Sequence, residues 1–105
     1  MKVVAFNGSP SPDGNTAILL MKVLSPIARA GIDTELVQVG GNKIQGCTAC
    51  YHCFQAKDKR CVIQDDMVND CIAKMIEADA IIMGSPTYFA NMTAEMKALI
   101  DRAGL

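Results

Sequence analysis

The sequence predicts an α/β fold, a doubly wound parallel sheet with helices on both faces. Three observations predict it. Short, almost wholly apolar runs at Lys2–Phe6 and Ala80–Met83 have the length and composition of buried strands. Between and after them lie stretches with apolar residues at helical spacing. Strand and helix patterns alternate along the chain, the mark of βαβ units and a parallel sheet. At 105 residues the chain has room for one domain, residues 1–105.

Lys2–Phe6 reads as the first strand and stops at Asn7-Gly8. The following Asn-Gly-Ser-Pro-Ser-Pro-Asp-Gly, residues 7–14, is too rich in turn formers for regular structure. Asn15 to about Ala30 reads as a helix, with Ile18, Leu19, Met21, Leu24 and Ile27 near helical spacing. Pro26 should kink it or break its last turn, and Gly31 is a natural stop. Thr34–Val39 reads as a second strand ending at Gly40-Gly41. After a cysteine-rich loop, Asp65 or Asp66 can cap a helix from about Met67 to Glu77, because a carboxylate accepts from the free N–H groups of a first turn. Ala80–Met83 is the third strand. Thr93 caps a last helix with Met96, Leu99 and Ile100 inward, and Gly104 follows it as C-cap. Crossovers between parallel strands are right-handed, and ligands bind such sheets beyond the carboxyl ends of the strands. The three loops that follow the three strands therefore share one edge, and they hold the unusual residues of the chain.

Composition narrows the function. The formal charge of −1 points to neither nucleic acid nor an anionic membrane surface as partner. No stretch approaches the length of a membrane span. The start of the chain lacks the pattern of an export signal, so a cytoplasmic location is expected. There, clustered cysteines serve metals or redox chemistry more often than disulfides.

Cys47, Cys50, Cys53 and Cys61 follow the pattern C-x2-C-x2-C-x7-C. Four thiolates suit a 4Fe-4S cluster. They also suit a structural zinc, with His52 able to replace one sulfur, although zinc sites usually pair two C-x2–4-C halves across a longer spacer. Free, redox-labile thiols are a third reading. Cys71 lies within a helix and reads as a small buried hydrophobe. Lys57, Lys59 and Arg60 form a basic patch beside the loop, either a solvated surface or a dock for an acidic electron carrier.

Gly8-Ser-Pro-Ser-Pro-Asp-Gly-Asn-Thr16 joins a strand to a helix. Free N–H groups at a helix start hold phosphate, and Ser9, Ser11 and Thr16 add hydroxyl donors. There is no lysine, so this is not the nucleotide-binding G-x4-G-K-[ST] loop. An ordinary capped turn would have a similar composition.

This loop resembles the FMN-phosphate loop of flavodoxin-like proteins, in the longer form of NAD(P)H-dependent FMN reductases. Gly84-Ser-Pro-Thr-Tyr-Phe-Ala-Asn-Met92 is similar to the loop that packs against the flavin ring in that superfamily. The cysteine loop, with Cys61-Val-Ile-Gln-Asp-Asp66 behind it, resembles the iron–sulfur flavoprotein branch. The resemblance covers essentially the whole chain, and the three motifs come in the family's order. It implies FMN as cofactor, with Ser9, Ser11, Asn15 and Thr16 at the phosphate. It implies Pro86, Thr87, Tyr88, Phe89 and Asn91 at the isoalloxazine, and a 4Fe-4S cluster on Cys47, Cys50, Cys53 and Cys61. The expected activity is that of an FMN-dependent oxidoreductase or electron-transfer flavoprotein, linked to NAD(P)H or a ferredoxin-like donor. No residue stands out as an acid–base catalyst, which suits chemistry done by cofactors. The reading from another class is a non-catalytic, zinc-stapled α/β binding module.

A flavodoxin-like sheet has five strands in the order 2-1-3-4-5. Three are countable here, so the chain reads as such a fold truncated after the third strand and its helix. The third strand then carries an uncharged open edge, which favours association, and a homo-oligomer is expected.

Overall fold

A computed structural model describes all residues, Met1–Leu105. Three strands, β1 (Lys2–Asn7), β2 (Asp33–Gln38) and β3 (Ala80–Gly84), form one parallel sheet in the order β2-β1-β3. That is the order of the first three strands of a flavodoxin-like sheet. Four helices accompany it: α1 (Asn15–Arg29), α2 (His52–Ala56), α3 (Val68–Glu77) and α4 (Ala94–Ala103). Lys2 pairs with Asp33 on one side, and Val3 with Ala80 on the other. No helix is long and apolar enough to cross a membrane.

The central strand explains the layering. Alternate residues of a strand face opposite sides, and β1 is apolar on both. Val4 and Phe6 face one cluster with Val37, Val39, Val68, Cys71, Met96 and Leu99, under α3 and α4. Val3 and Ala5 face a second cluster with Leu20 and Leu24 of α1. A strand buried on both faces reads as a continuous apolar run, which is why Val-Val-Ala-Phe was legible.

Helix α1 differs from the sequence expectation in its inner face. Ala17, Leu20 and Leu24 are buried, whereas Ile18, Leu19 and Met21 are exposed, Leu19 by 65%. Ala17–Met21 is an unbroken apolar run, so periodicity alone supports more than one register. Packing decides: a Cβ on Gly84 would meet the Leu20 side chain at 3.0 Å, so the glycine makes room for that leucine. Pro26 does not end the helix, which runs on to Arg29. The carbonyl four residues back belongs to exposed Lys22, where water can serve it. Gly31 follows with φ of 86° and terminates the helix.

Helix α2 is an element the sequence did not announce, one short turn inside the cysteine loop. The N-cap position of α3 is Met67, not the expected Asp65 or Asp66; Asp66, one residue earlier, accepts from the Val68 N–H at 3.2 Å.

Candidate functional site

The loop after β1 is tied inward at its base, through Gly8 and Ser9. Asn7, the last residue of β1, is fully buried. Its Oδ1 accepts from the Ser9 N–H at 3.0 Å, and its Nδ2 donates to Gln38 Oε1 at 2.9 Å. Gln38 in turn donates from Nε2 to the carbonyls of Ser9, at 2.7 Å, and Gly40, at 2.9 Å. The Ser11 N–H reaches Ser9 Oγ at 3.2 Å. Ser9 is thus built into the loop, while Ser11 and Asn15 lie on its exposed rim and Thr16 is half-buried.

The end of β2 presses on the same loop. A Cβ on Gly40 would stand 2.3 Å from the Ser9 carbonyl carbon and oxygen, so only glycine fits this approach. From the other side, the Gly8 N–H donates to the Gly84 carbonyl at 2.7 Å. Thr93 Oγ1 donates to the Gly8 carbonyl at 2.7 Å and accepts from the Met96 N–H at 3.3 Å, capping α4. Loops one and three are therefore pinned together at the carboxyl edge of the sheet.

Helix α1 starts without a side-chain cap. Its N-cap is Gly14, and the N–H groups of Asn15, Thr16 and Ala17 have no partner within the protein. With the hydroxyls of Ser11 and Thr16 alongside, the donor set suits a phosphate monoester. A Cβ at Gly14 would come within 3.0 Å of the Ser11 Cβ, so the absence of a side chain keeps this cradle open.

The third loop turns tightly. Tyr88 and Asn91 exchange backbone hydrogen bonds at 2.7 and 2.6 Å across Phe89 and Ala90, and Ala90 sits at φ of 63°. This places Phe89 at a tip, 103% exposed, with Tyr88 about half exposed beside it. Pro86 is half-buried, and Thr87 and Asn91 are exposed. The apolar and aromatic side chains of this loop are presented to solvent rather than spent on the core, leaving them available to a planar ligand.

Cys47, Cys50, Cys53 and Cys61 line one small, largely apolar cavity together with Arg102 and Leu105. All are free thiols. No three His, Cys, Asp or Glu side chains stand close enough to share a single metal ion. The Ala49 N–H donates to Cys47 Sγ at 3.4 Å. Asn69, buried in α3, accepts from the Cys61 N–H at 2.7 Å and donates to its carbonyl at 2.9 Å, fixing the last cysteine. Buried Cys71 takes no part, and desolvation lifts its pKa to about 11. Lys57, Lys59 and Arg60 are exposed.

The cavity departs from the expected layout in one respect. The cysteine loop leaves the sheet at the ligand edge, but its thiols gather around the last turn of α4. Arg102 is nine residues beyond the Thr93 cap, about 14 Å along the helix at 1.5 Å per residue. The start of the loop lies at the ligand edge, but tertiary packing carries its tip elsewhere. Asn7, Gln38, Asn69 and Arg102 carry little signal in the sequence, because their partners are mostly remote along the chain. For Asn69, only its position inside a helix otherwise apolar on that side could have pointed to it.

Residues 1–105 match the family described as NADPH-dependent FMN reductase. The chain is 42% identical over 103 residues to an iron-sulfur flavoprotein of Methanocaldococcus jannaschii, an alignment covering 98% of this chain and 52% of that protein. It is 41% identical to an iron-sulfur flavoprotein of Archaeoglobus fulgidus, covering 97% and 45%. With one from Methanosarcina thermophila it shares 35%, covering 100% and 53%. The chain spans about half the length of the curated relatives it matches.

Proposed function

The chain belongs to the NADPH-dependent FMN reductase family, and on that premise we propose that it serves an FMN-dependent oxidoreductase whose cysteine loop holds a 4Fe-4S cluster. Electrons would come from NAD(P)H or a ferredoxin-like carrier. The observation that carries this reading is the presence of two candidate sites: uncapped N–H groups at the start of α1, in the loop that Thr93 holds through Gly8, and a cavity lined by four thiols at the Arg102 end of α4.

Asn15 and Thr16 would hold the flavin phosphate with free backbone N–H groups, Ser11 and Thr16 with hydroxyls. Ser9 would keep the loop in shape. Pro86, Thr87, Tyr88, Phe89 and Asn91 would flank the isoalloxazine and shield one side of it from water. Cys47, Cys50, Cys53 and Cys61 would each supply a thiolate. Bound at these places, the flavin supplies two-electron hydride chemistry and the cluster one-electron transfer. The four thiols line one cavity, and four thiolates are the ligand set a 4Fe-4S cluster takes.

The test is anaerobic purification followed by an absorbance spectrum and assays for iron, acid-labile sulfide and zinc. A flavin spectrum with about four irons and four sulfides per chain is expected. Flavin without iron would remove the cluster and keep the oxidoreductase; zinc without flavin would favour the binding module. Rapid bleaching of the flavin by NADPH separates an enzyme from a passive electron carrier.

A further inference from the structure

One wall of the cysteine cavity is a buried arginine with an unused donor. The Arg102 side chain is 0% exposed and that of Asp66 only 4%. Arg102 Nη1 donates to Asp66 and, at 3.0 Å, to the Gln45 carbonyl; Nη2 donates to the Ile63 carbonyl at 3.0 Å. The Nε–H is buried and has no partner. A buried donor is rarely left unmet, and a charged one costs more than a neutral one. The same guanidinium lines the cavity with all four thiols.

The surroundings narrow what the donor is for. Asn69 holds the backbone N–H and carbonyl of Cys61, which fixes this cysteine in the cavity wall that Arg102 also lines. The other cations nearby, Lys59 and Arg60, are exposed and screened by water. Asp66 neutralises Arg102 from the side occupied by Nη1. Four thiolates on the other side would bring excess negative charge into a site where field lines are poorly screened.

We propose that Arg102 is a positioning and tuning residue of the cysteine site, in which its unpartnered Nε–H and its charge stabilise Cys61 and the more negative, reduced form of the group the four cysteines hold. The proposal rests on the cluster reading given above. Donors and positive charge beside the sulfurs of a cluster favour its reduced state. Arg102 therefore raises the reduction potential, and it does so from the second layer, without being a ligand.

The test compares the anaerobically purified protein with Arg102→Lys and with the double variant Asp66→Asn/Arg102→Met. The double variant replaces the ion pair by a neutral pair and leaves no buried charge unpaired. Iron and sulfide are assayed first, and the midpoint potential is then read by a redox titration followed by electron paramagnetic resonance. The double variant is expected to keep its cluster with a more negative midpoint and an altered signal, and Arg102→Lys to shift the same way by less. Loss of the cluster from a folded double variant, with retention in Arg102→Lys, would also support the proposal. If the double variant fails to fold, Arg102→Lys decides. An unshifted potential and signal in every folded variant overturns the proposal. Unmodified protein without iron and sulfide would instead overturn the cluster reading first, and this inference with it.

Discussion

The loop after β1 and the loop after β2 are built on opposite plans. The first is short, and Asn7, Gln38, Gly40 and Thr93 hold it from three sides. The second is a long excursion held near its base, where Asp66 accepts from the Gln45 N–H at 3.1 Å and Arg102 bridges Gln45, Ile63 and Asp66. Its tip is exposed, and Ala49, Tyr51, Lys57 and Lys59 adopt positive φ without being glycine. Such residues are costly unless something over-determines them, and the protein itself supplies few bonds there. The fold prepares the first site in advance. It delivers the second as four thiols on an anchored but loosely supported frame, which a bound cluster would complete.

The sharpest way to break this contrast is at the anchor. Asp66→Ala leaves Arg102 buried without its counter-ion and should cost about 3–5 kcal/mol in equilibrium denaturation. A loss under about 1 kcal/mol would mean that the base of the loop is held some other way. The acid limb gives an independent check. Burial raises the Asp66 pKa, but hydrogen bonds from Arg102, Gln45 and Val68 outweigh it, so the folded value lies below the ordinary one. A lowered carboxylate pKa contributes stability that is present above the unfolded value, about 3.9, and is lost as pH falls through the folded one. Asp66→Asn should therefore flatten the acid side of the stability–pH curve.

Thr93→Ala tests the prepared site. It removes both the α4 cap and the bond to Gly8, for an expected loss of about 2 kcal/mol. FMN affinity should fall with it, and Thr93→Ser should restore most of both. Calorimetric titration with FMN reads the affinity. If stability drops and FMN affinity does not, the third loop stabilises α4 without shaping the phosphate cradle.

The smallest stability effect belongs to the exposed tip. Cys47→Ser should change the stability of iron-free protein by no more than about 0.5 kcal/mol, while abolishing stoichiometric iron. A larger change in the iron-free state would show that the tip supports the fold by itself.

What the sequence disclosed follows the same division. The strands, Gly31 and the Thr93 cap are local events, legible because a few neighbouring residues decide them. The cysteines were legible by spacing. The inner face of α1 was not, because Ala17–Met21 offers apolar side chains in every direction and only contact with Gly84 selects Leu20. Arg102 was not either. A basic residue in the last turn of a helix is ordinary, and nothing near it in the chain announces that Asp66, far upstream, will bury it.

Gly40 and Gly46 stand six residues apart, and the space around them sets how freely each position can drift. At Gly40 any side chain would overlap the Ser9 backbone at 2.3 Å, whereas at Gly46 an added Cβ meets nothing within 4 Å. A library randomised at both codons and selected for folded protein would return glycine alone at the first and a broad mixture at the second. The border between a mutationally frozen segment and a permissive one thus falls inside a single connection, shortly before its first cysteine.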